Sequence, residues 1–559
     1  MTVPFSRGTS RPLYEQAVAL LRGGAFLRAE GMMQRSVAEE GETALSYHYL
    51  SEILSRLPDR VEDALQAQQQ AADIAGDHPV FLAALGLRLH DAGKDVAALD
   101  VLERALVIDP NCPLALPWAL RLRRRFLRWT DEAQEDQGIR TALKSGRLID
   151  PLMLLSFIDD PEVQQAHSQP SVAVARSADH APKAPRGKLR IGYFSADFCE
   201  HATMHLIAGM LKAHDRTRFE FYVYDFLPQP QSRYHTLIRD FADIYHDISQ
   251  IDDAGAVALA RSDQLNIAVD LKGLTTDCRP VLFEHRIAPM QVSFLGFPGT
   301  TAIREIDFMI ADPITIPAAE ERFYNEQILR MPICYQPNDN TRPVPEADNL
   351  RAKYGLPEDK FIFANFNHPH KVGPREFGVW MNILRQVPDA VLLFYTGAHD
   401  LSLELERQAR RHEIDPSRIL PCGIMTQTAH IERLAQVDLC LDCFAYNAHT
   451  TASDALWAGV PLLTLCGRQF SARVATSILS AAGVPELSTN SLEDYVGQAV
   501  RLAVSPDEIN ALKRTLRRNR SSCALFDTKT WTRDYEDLLT GAYLRGASNS
   551  PTERRPGAV

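Results

Sequence analysis

One stretch, DLCLDCFAYNAHTTASDALWAGVPLL at 438–463, gathers residue types that suit an anion. Its apolar first part, ending at Phe444, reads as a buried strand. A loop with Tyr446, Asn447, Ala448 and His449 comes next, and a helix opens at Thr450 and Thr451 with Asp454 expected in its first turn. A helix N-terminus offers unpaired N–H groups and the positive end of the peptide dipoles, which suits a phosphate or diphosphate. The threonine hydroxyls add donors, and Asp454 has the chemistry to accept from the hydroxyls of a nucleotide ribose. The same residues allow a plainer reading, in which Thr450 caps the helix and His449 faces solvent. Cys440 and Cys443 form a CxxC pair, but a zinc ribbon needs a second pair at suitable spacing and the sequence has none. Inside an apolar strand the two cysteines read as core. Asp438 and Asp442 do not form the DxD that holds a metal diphosphate, and there is no GxxxxGK[ST] loop and no GxSxG elbow. The expectation is a site without metal or cofactor.

Such a loop needs a scaffold that brings strand ends to one face. From residue 188 onward, short β-branched or aromatic runs alternate with amphipathic stretches. LRIGYFS (189–195), FEFYVYDF (219–226), IAVDL (267–271), QVSFLGF (291–297) and DFMIADP (307–313) read as strands. MHLIAGMLKAH (204–214) and AVALARSD (256–263) read as helices between some of them. After a loop near 338–348 the pattern restarts with FIFANFN (361–367), AVLLFYT (390–396), RILPCG (418–423), DLCLDCF (438–444) and PLLTLC (461–466). The helical stretches FGVWMNILRQV, LELERQARRHEI and AHIERLAQV separate these strands. The alternation predicts two parallel, helix-flanked sheets, that is, two Rossmann-like lobes facing a cleft. Open sheets of this kind bind ligands at the carboxyl ends of their strands.

The N-terminal third is different. Residues 79–112 place Gly86, Gly93, Ala98, Ala105 and Pro110 among Leu82, Leu85, Leu89 and Leu102. This resembles a tetratricopeptide repeat, two short antiparallel helices with small residues where they cross. A weaker copy at 45–78 aligns Ala64 and Ala71, and a third at 14–43 aligns Ala29 and Met33. The repeats read either as a protein-docking surface or as a helical cap that packs on the next domain. Residues 116–135 read as continuing helix, with a basic run at 121–128 taken as a solvated face. Residues 164–188, rich in Ser, Ala, Pro and His, read as a linker. The division is therefore 1–135 as helical repeats, 136–187 as helical connector and linker, 188–345 and 346–545 as the two lobes, and 546–559 as a disordered tail.

Composition excludes some classes. A net charge of −11 gives no basic field for nucleic acid or anionic membrane. No run of about 18 apolar residues is present, so no membrane-spanning helix is expected. Nine scattered cysteines argue against a disulfide framework and for a reducing compartment, here the cytoplasm.

HTTASDALWAGVPLLT (449–464), together with SADFCEHATMHL (195–206), LGFPGTT (295–301) and FANFNHPHKVGP (363–374), resembles the O-linked N-acetylglucosamine transferases and their bacterial relatives, glycosyltransferase family 41. The resemblance runs over residues 188–542 with order and spacing kept, and tetratricopeptide repeats ahead of the catalytic region match the family's architecture. It implies an α + α/β protein, helical repeats followed by a GT-B fold whose second lobe holds the donor. On this resemblance Lys371 matches the lysine at the donor diphosphate, where a cation offsets the charge growing on the leaving group. His449, Thr450 and Thr451 match the residues on the same phosphates, and Asp454 the ribose-binding aspartate. His430 matches the histidine stacked on uracil and Arg433 an arginine near the base. Met425 and Gln427 fall in the loop at the base. In the first lobe His201 and Thr203 match residues near the sugar and acceptor, Asp197 a candidate base, Gly296 and Pro298 the loop of the sugar pocket, and Arg279 an arginine on the acceptor side. The base itself stays open between His201 and Asp197.

Two positions depart from the pattern. His368 stands where relatives often carry glutamine, and Gln427 where some carry lysine. Both lie near the nucleotide. The resemblance implies an inverting, metal-independent transfer of a sugar, N-acetylglucosamine from UDP-GlcNAc, to Ser or Thr hydroxyls of a protein. The acceptor would be docked by the repeats. Another donor, such as a CMP-nonulosonic acid used on flagellin, and a non-catalytic adaptor are the alternatives.

Overall fold

The computed structural model describes residues 12–129, 131–144, 150–168, 187–345 and 349–548. The chain divides into two compact units, Met1–Asp150 and Pro151–Val559.

The first unit is built from helical hairpins. Helices α1 (Leu13–Arg22) and α2 (Phe26–Glu40) pair, as do α3 (Ala44–Leu54) with α4 (Val61–Ala75) and α5 (Pro79–Asp91) with α6 (Asp95–Ile108). These are the three repeats read from the sequence. Ala29, Ala64, Ala71, Ala98 and Ala105 are all buried where the helices cross. At Gly86 the approach of α6 is so close that a Cβ would sit 2.6 Å from Leu102 Cγ, so no larger residue fits without displacement. Helices α7 (Leu116–Arg125) and α8 (Glu132–Lys144) complete the unit.

The single helix expected over 116–135 is broken after Arg125, and Leu127 takes a left-handed backbone. The basic run is not a solvated face either. Arg123 pairs with Glu103, Arg124 with Glu135, Arg125 with Asp95 and Arg128 with Asp100, at 2.6–3.0 Å. Arg124 is buried. The acids that absorb the run lie on the neighbouring helices, out of sight of a local reading.

In the second unit, α9 (Pro151–Phe157) and α10 (Pro161–His167) come first. Helix α10 occupies the start of the expected linker. Asp160 caps it by accepting from the Glu162 N–H, and Pro161 opens it. The remainder of that linker, 169–186, lies outside the described residues.

The first lobe then runs β1 (Leu189–Ser195), α11 (Ala202–Ala213), β2 (Phe219–Asp225), α12 (Arg233–Phe241), β3 (Ile244–Asp247), α13 (Asp253–Ser262), β4 (Ile267–Asp270), α14 (Pro280–Glu284), β5 (Met290–Ser293), β6 (Phe308–Ala311) and β7 (Gln327–Arg330). Its seven strands are all parallel, in the order β3-β2-β1-β4-β5-β6-β7. The second lobe runs β8 (Phe361–Asn365), α15 (Pro374–Gln386), β9 (Ala390–Gly397), α16 (Ser402–Arg411), β10 (Ile419–Gly423), α17 (Gln427–Leu434), β11 (Leu439–Leu441), α18 (Thr450–Ala458), β12 (Leu462–Leu465), α19 (Val474–Ala482), β13 (Ser488–Thr489), α20 (Leu492–Val504), α21 (Pro506–Asn519) and α22 (Thr528–Ser548). Its sheet, also parallel, has the order β10-β9-β8-β11-β12-β13. Both orders reverse beside the first strand of the lobe, which is where a doubly wound sheet opens a crevice.

Two deviations from the sequence reading bear on that crevice. The strand expected over 291–297 ends at Ser293. Leu295 is left-handed at φ 70°, and a Cβ on Gly296 would fall 2.1 Å from the Leu271 carbonyl oxygen. Residues 294–297 are therefore a tight loop pressed on the end of β4. The last helix extends through Ser548, into the expected tail, and packs back on the first lobe. Its Trp531 Nε1 donates to the Cys334 carbonyl at 2.8 Å, and Glu536 accepts from His214 Nδ1 at 2.8 Å. Residues 549–559 lie outside the described residues.

Candidate active site

The loops at the carboxyl ends of β1, β4, β5, β8, β10 and β11 meet at a cavity of about 750 Å³ between the lobes. Asp197, His201, Thr203 and Gly296 line it from the first lobe. His368, Lys371, Met425, Gln427, His430, Arg433, His449, Thr450, Thr451 and Asp454 line it from the second. Two expected residues stand apart. Arg279 spends its guanidinium on Asp253 and on the carbonyls of Ile248 and Ile251, and it does not line the cavity. Pro298 is buried behind Gly296 in the same loop and does not line it either.

The centre of the second-lobe wall is organised by Asp442, at the end of β11. This buried carboxylate accepts from the N–H groups of Cys443 (2.8 Å) and Ala448 (2.6 Å) and from the hydroxyl of Thr464 (2.7 Å). It also accepts from Asn367 Nδ2 at 3.1 Å, and the Asn367 carbonyl oxygen accepts from Thr451 Oγ1 at 3.0 Å. One aspartate thus ties the loop 443–448, the start of the loop after β8 and the first turn of α18 into a single frame. Burial raises its pKa to about 6. Cys440 and Cys443 are buried in this strand and its exit, as core.

Lys371 ends a 3₁₀ turn, Pro369–Lys371, just beyond β8. Its ammonium donates to the Asn447 carbonyl at 3.1 Å and lies 3.6 Å from the centre of the Tyr446 ring. Both partners belong to the loop before α18. Burial lowers its pKa to about 8, with no carboxylate in hydrogen-bond contact to hold the charge. Helix α18 begins at Thr450 with His449 in the capping position, and no side chain caps it. His449 is held neutral by burial and by the neighbouring Lys371, and its Nε2 is buried with no hydrogen-bond partner among the described residues. A cation, an uncapped helix terminus and a ring nitrogen in need of a partner therefore face one space.

Asp454 sits in the second turn of α18, not the first. One of its oxygens accepts from Arg342 at 2.6 Å, a residue with no sequence signal. Burial raises the Asp454 pKa to about 6 even against that arginine. His430 is pushed down to about 3 by burial and by Arg433, so its ring is neutral. It packs edge-on against Phe366 and takes a hydrogen bond from Arg433 Nη2 at 3.2 Å. Arg433 also donates to the Gly423 carbonyl at 3.0 Å, so it braces both the histidine and the loop after β10. His368 contacts His370 across 2.7 Å between their Nδ1 atoms.

On the first-lobe wall, Asp197 is bound on both oxygens by the buried ammonium of Lys272, at 2.9 and 3.0 Å. Lys272 also lines the cavity. It escaped the sequence reading, although its place just beyond β4 is the signal that could have found it. His201 caps α11, with Nδ1 accepting from the Thr203 N–H at 3.2 Å. With Nδ1 so engaged, the neutral ring carries its hydrogen on Nε2 and presents a donor. Burial lowers its pKa. Helix α9 closes the back of the site. Leu155 packs with Phe297 of one lobe and Tyr446 of the other, and Leu152 reaches the cavity. Among the described residues, no group of three His, Cys, Asp or Glu side chains is placed to hold a metal ion. No helix among them is long and apolar enough to cross a membrane.

Two doubly wound lobes meeting at a crevice, with a cation beside a helix terminus on one wall, define a GT-B fold. Known proteins sharpen that class. The profile of glycosyl transferase family 41 matches residues 168–347 and 340–535, and the chain belongs to that family. It is 34% identical over 355 residues to the probable UDP-N-acetylglucosamine–peptide N-acetylglucosaminyltransferase SEC of Arabidopsis thaliana, a match covering 62% of this chain and 36% of that protein. It is 26% identical over 478 residues to the UDP-N-acetylglucosamine–peptide N-acetylglucosaminyltransferase of Caenorhabditis elegans, covering 66% and 42%. The chain thus spans less than half the length of these curated relatives. A solved structure of a mutant O-GlcNAc transferase from Thermobaculum terrenum superposes with a TM-score of 0.66 at 24% identity, over 97% of this chain and 99% of that one, and shares its fold.

Proposed function

We propose that the chain is an inverting glycosyltransferase that moves N-acetylglucosamine from UDP-GlcNAc to Ser or Thr hydroxyls of a protein. The observation that carries this reading is the meeting of Lys371, the loop 446–449 and the uncapped start of α18. In the reaction the acceptor oxygen bonds to the anomeric carbon while the bond from that carbon to the diphosphate breaks, and the proton of the acceptor hydroxyl passes to an oxygen of the departing diphosphate. The electron pair, and with it negative charge, moves to the diphosphate. A half-buried ammonium and a helix terminus already in place stabilise that charge without reorganising, and they supply the positive field a metal ion would otherwise bring. Thr450 and Thr451 add hydroxyl donors. Asp454, steadied by Arg342, takes the ribose, and the neutral His430 ring, braced by Arg433, offers a face for the base.

On the acceptor side, Asp197 is committed to Lys272 and His201 presents N–H. In this reading His201 orients the sugar or acceptor by donating, and Asp197 keeps Lys272 in place at the first-lobe wall. The hairpins of the first unit serve as the docking surface for the protein acceptor, and nine scattered cysteines fit a cytoplasmic setting. The test is a donor screen by thermal shift, followed by incubation of labelled donor with a cell lysate. Stabilisation by UDP-GlcNAc and label in the protein fraction are expected. Stabilisation only by a cytidine nucleotide, or label only in lipid or glycan, would replace this donor or acceptor.

A further inference from the structure

Arg233 ties the first lobe to the nucleotide side of the cavity. It opens α12, after a cap from Ser232. Its Nε pairs with Glu200 at 2.8 Å, and its guanidinium carbon lies 4.7 Å from the centre of the Tyr234 ring. Its Nη2 donates to Tyr234 Oη at 3.0 Å and, across the cleft, to Gln427 Oε1 at 2.9 Å. A guanidinium only donates, so only the carbonyl end of the Gln427 amide can face it. That contact orients the amide. Oε1 is taken, and Nε2 is left as a donor, buried and without a partner among the described residues. Gln427 lines the cavity at the start of α17, one turn before His430. A buried N–H without an acceptor is unfavourable, and a ligand carbonyl relieves it.

We propose, building on the nucleotide-donor reading above, that Arg233 is a positioning residue that fixes Gln427 as a hydrogen-bond donor toward the base, and that the pair selects a pyrimidine with a carbonyl at the edge farthest from the ribose, uracil rather than cytosine. Position 4 lies opposite the nitrogen that carries the ribose. Uracil has an oxygen there and cytosine an amino group, which would set donor against donor and leave both unpaired.

The experiment is calorimetric titration of the full chain with UDP and CDP, which share the ribose and the diphosphate. UDP is expected to bind at least about tenfold more tightly, the discrimination a lost buried hydrogen bond gives. Arg233→Ala should bring the ratio close to one, chiefly by weakening UDP, with an unchanged thermal midpoint because the side chain is more than half exposed. Arg233→Lys should restore part of the ratio. Gln427→Glu, an acceptor pinned by the same arginine, should turn the preference toward CDP. Equal binding of UDP and CDP by the unaltered chain, or an unchanged ratio in Arg233→Ala, overturns the proposal and leaves the nucleotide site standing. Failure of both nucleotides to bind a folded chain overturns the nucleotide-donor reading itself.

Discussion

Each wall of the cleft carries one lysine, Lys272 buried and Lys371 half-buried, and the two are treated in opposite ways. Lys272, on the first-lobe wall, has both oxygens of Asp197 within 3.0 Å. Lys371, on the second, has a carbonyl and the face of a tyrosine. The first charge is neutralised where it sits. The second is kept short of a counter-charge in the region where burial makes that costly, and its pKa falls to about 8 as a result. A neutralised pair is a structural element. A cation with no carboxylate hydrogen-bonded to it suits the anion proposed above, and the frame around Asp442 holds the loop beside it.

The largest effect should come from removing that cation. Lys371→Met should lower the rate of sugar transfer by at least about a hundredfold, the scale on which single electrostatic stabilisers of a transition state act. Its stability should be little changed, because no carboxylate loses a hydrogen-bonded partner and Asp442 keeps its four donors. Single-turnover transfer assays and urea unfolding check the two halves together. Undiminished transfer would remove Lys371 from the chemistry.

The matching change on the other wall should act on stability. Lys272→Met leaves the Asp197 carboxylate buried with only the neutral His201 ring beside it, Nδ1 at 3.5 Å, which costs about 3–5 kcal/mol. Adding Asp197→Asn removes the orphaned charge and should recover most of that loss, as read from the urea midpoints of the single and double variants. If Asp197→Asn alone abolishes transfer while the fold stays as stable, the aspartate is doing proton chemistry after all and the contrast between the walls fails.

The contrast also separates what a linear reading can reach from what it cannot. The loop and helix at 442–454 are contiguous, so strand exit, turn and helix start succeed one another in order, and Lys371 comes within six residues of its own strand. The partners that decide how these groups behave come from far away. Lys272 and Asp197 are 75 residues apart, Arg342 and Asp454 are 112, and Arg233 and Gln427 are 194. No periodicity links such pairs. They meet only because two sheets reverse their order at the same crevice. Arg279 errs in the other direction. Its motif points to the acceptor side, but Asp253 and two carbonyls behind α14 absorb every arm of the guanidinium. The strands β3, β7 and β13 were also illegible, being two to four residues long and, in β3, half exposed and polar. They lie at the edges of the sheets, and of the three only β7 leads into a segment, at Gln336, that lines the cavity.

The finest test of the comparison is pH. A lysine lowered from its ordinary value to about 8 carries its proton below pH 8 and loses it as the pH rises through 8. Affinity for UDP should therefore be flat between about pH 7 and pH 8, above the pKa of about 6 at Asp454, and fall above pH 8, by up to about tenfold per unit, as binding has to restore the proton. A bound diphosphate raises the lysine pKa, so titrations near pH 9 should show proton uptake, visible as a binding enthalpy that changes with the ionisation enthalpy of the buffer. Lys371→Arg, which stays charged throughout this range, should flatten both the affinity profile and the buffer dependence. Lys272→Met, combined with Asp197→Asn for stability, should leave both intact, because the first-lobe lysine already has its counter-ion. A pH profile that tracks Lys272 instead would mean that the anion sits against the opposite wall.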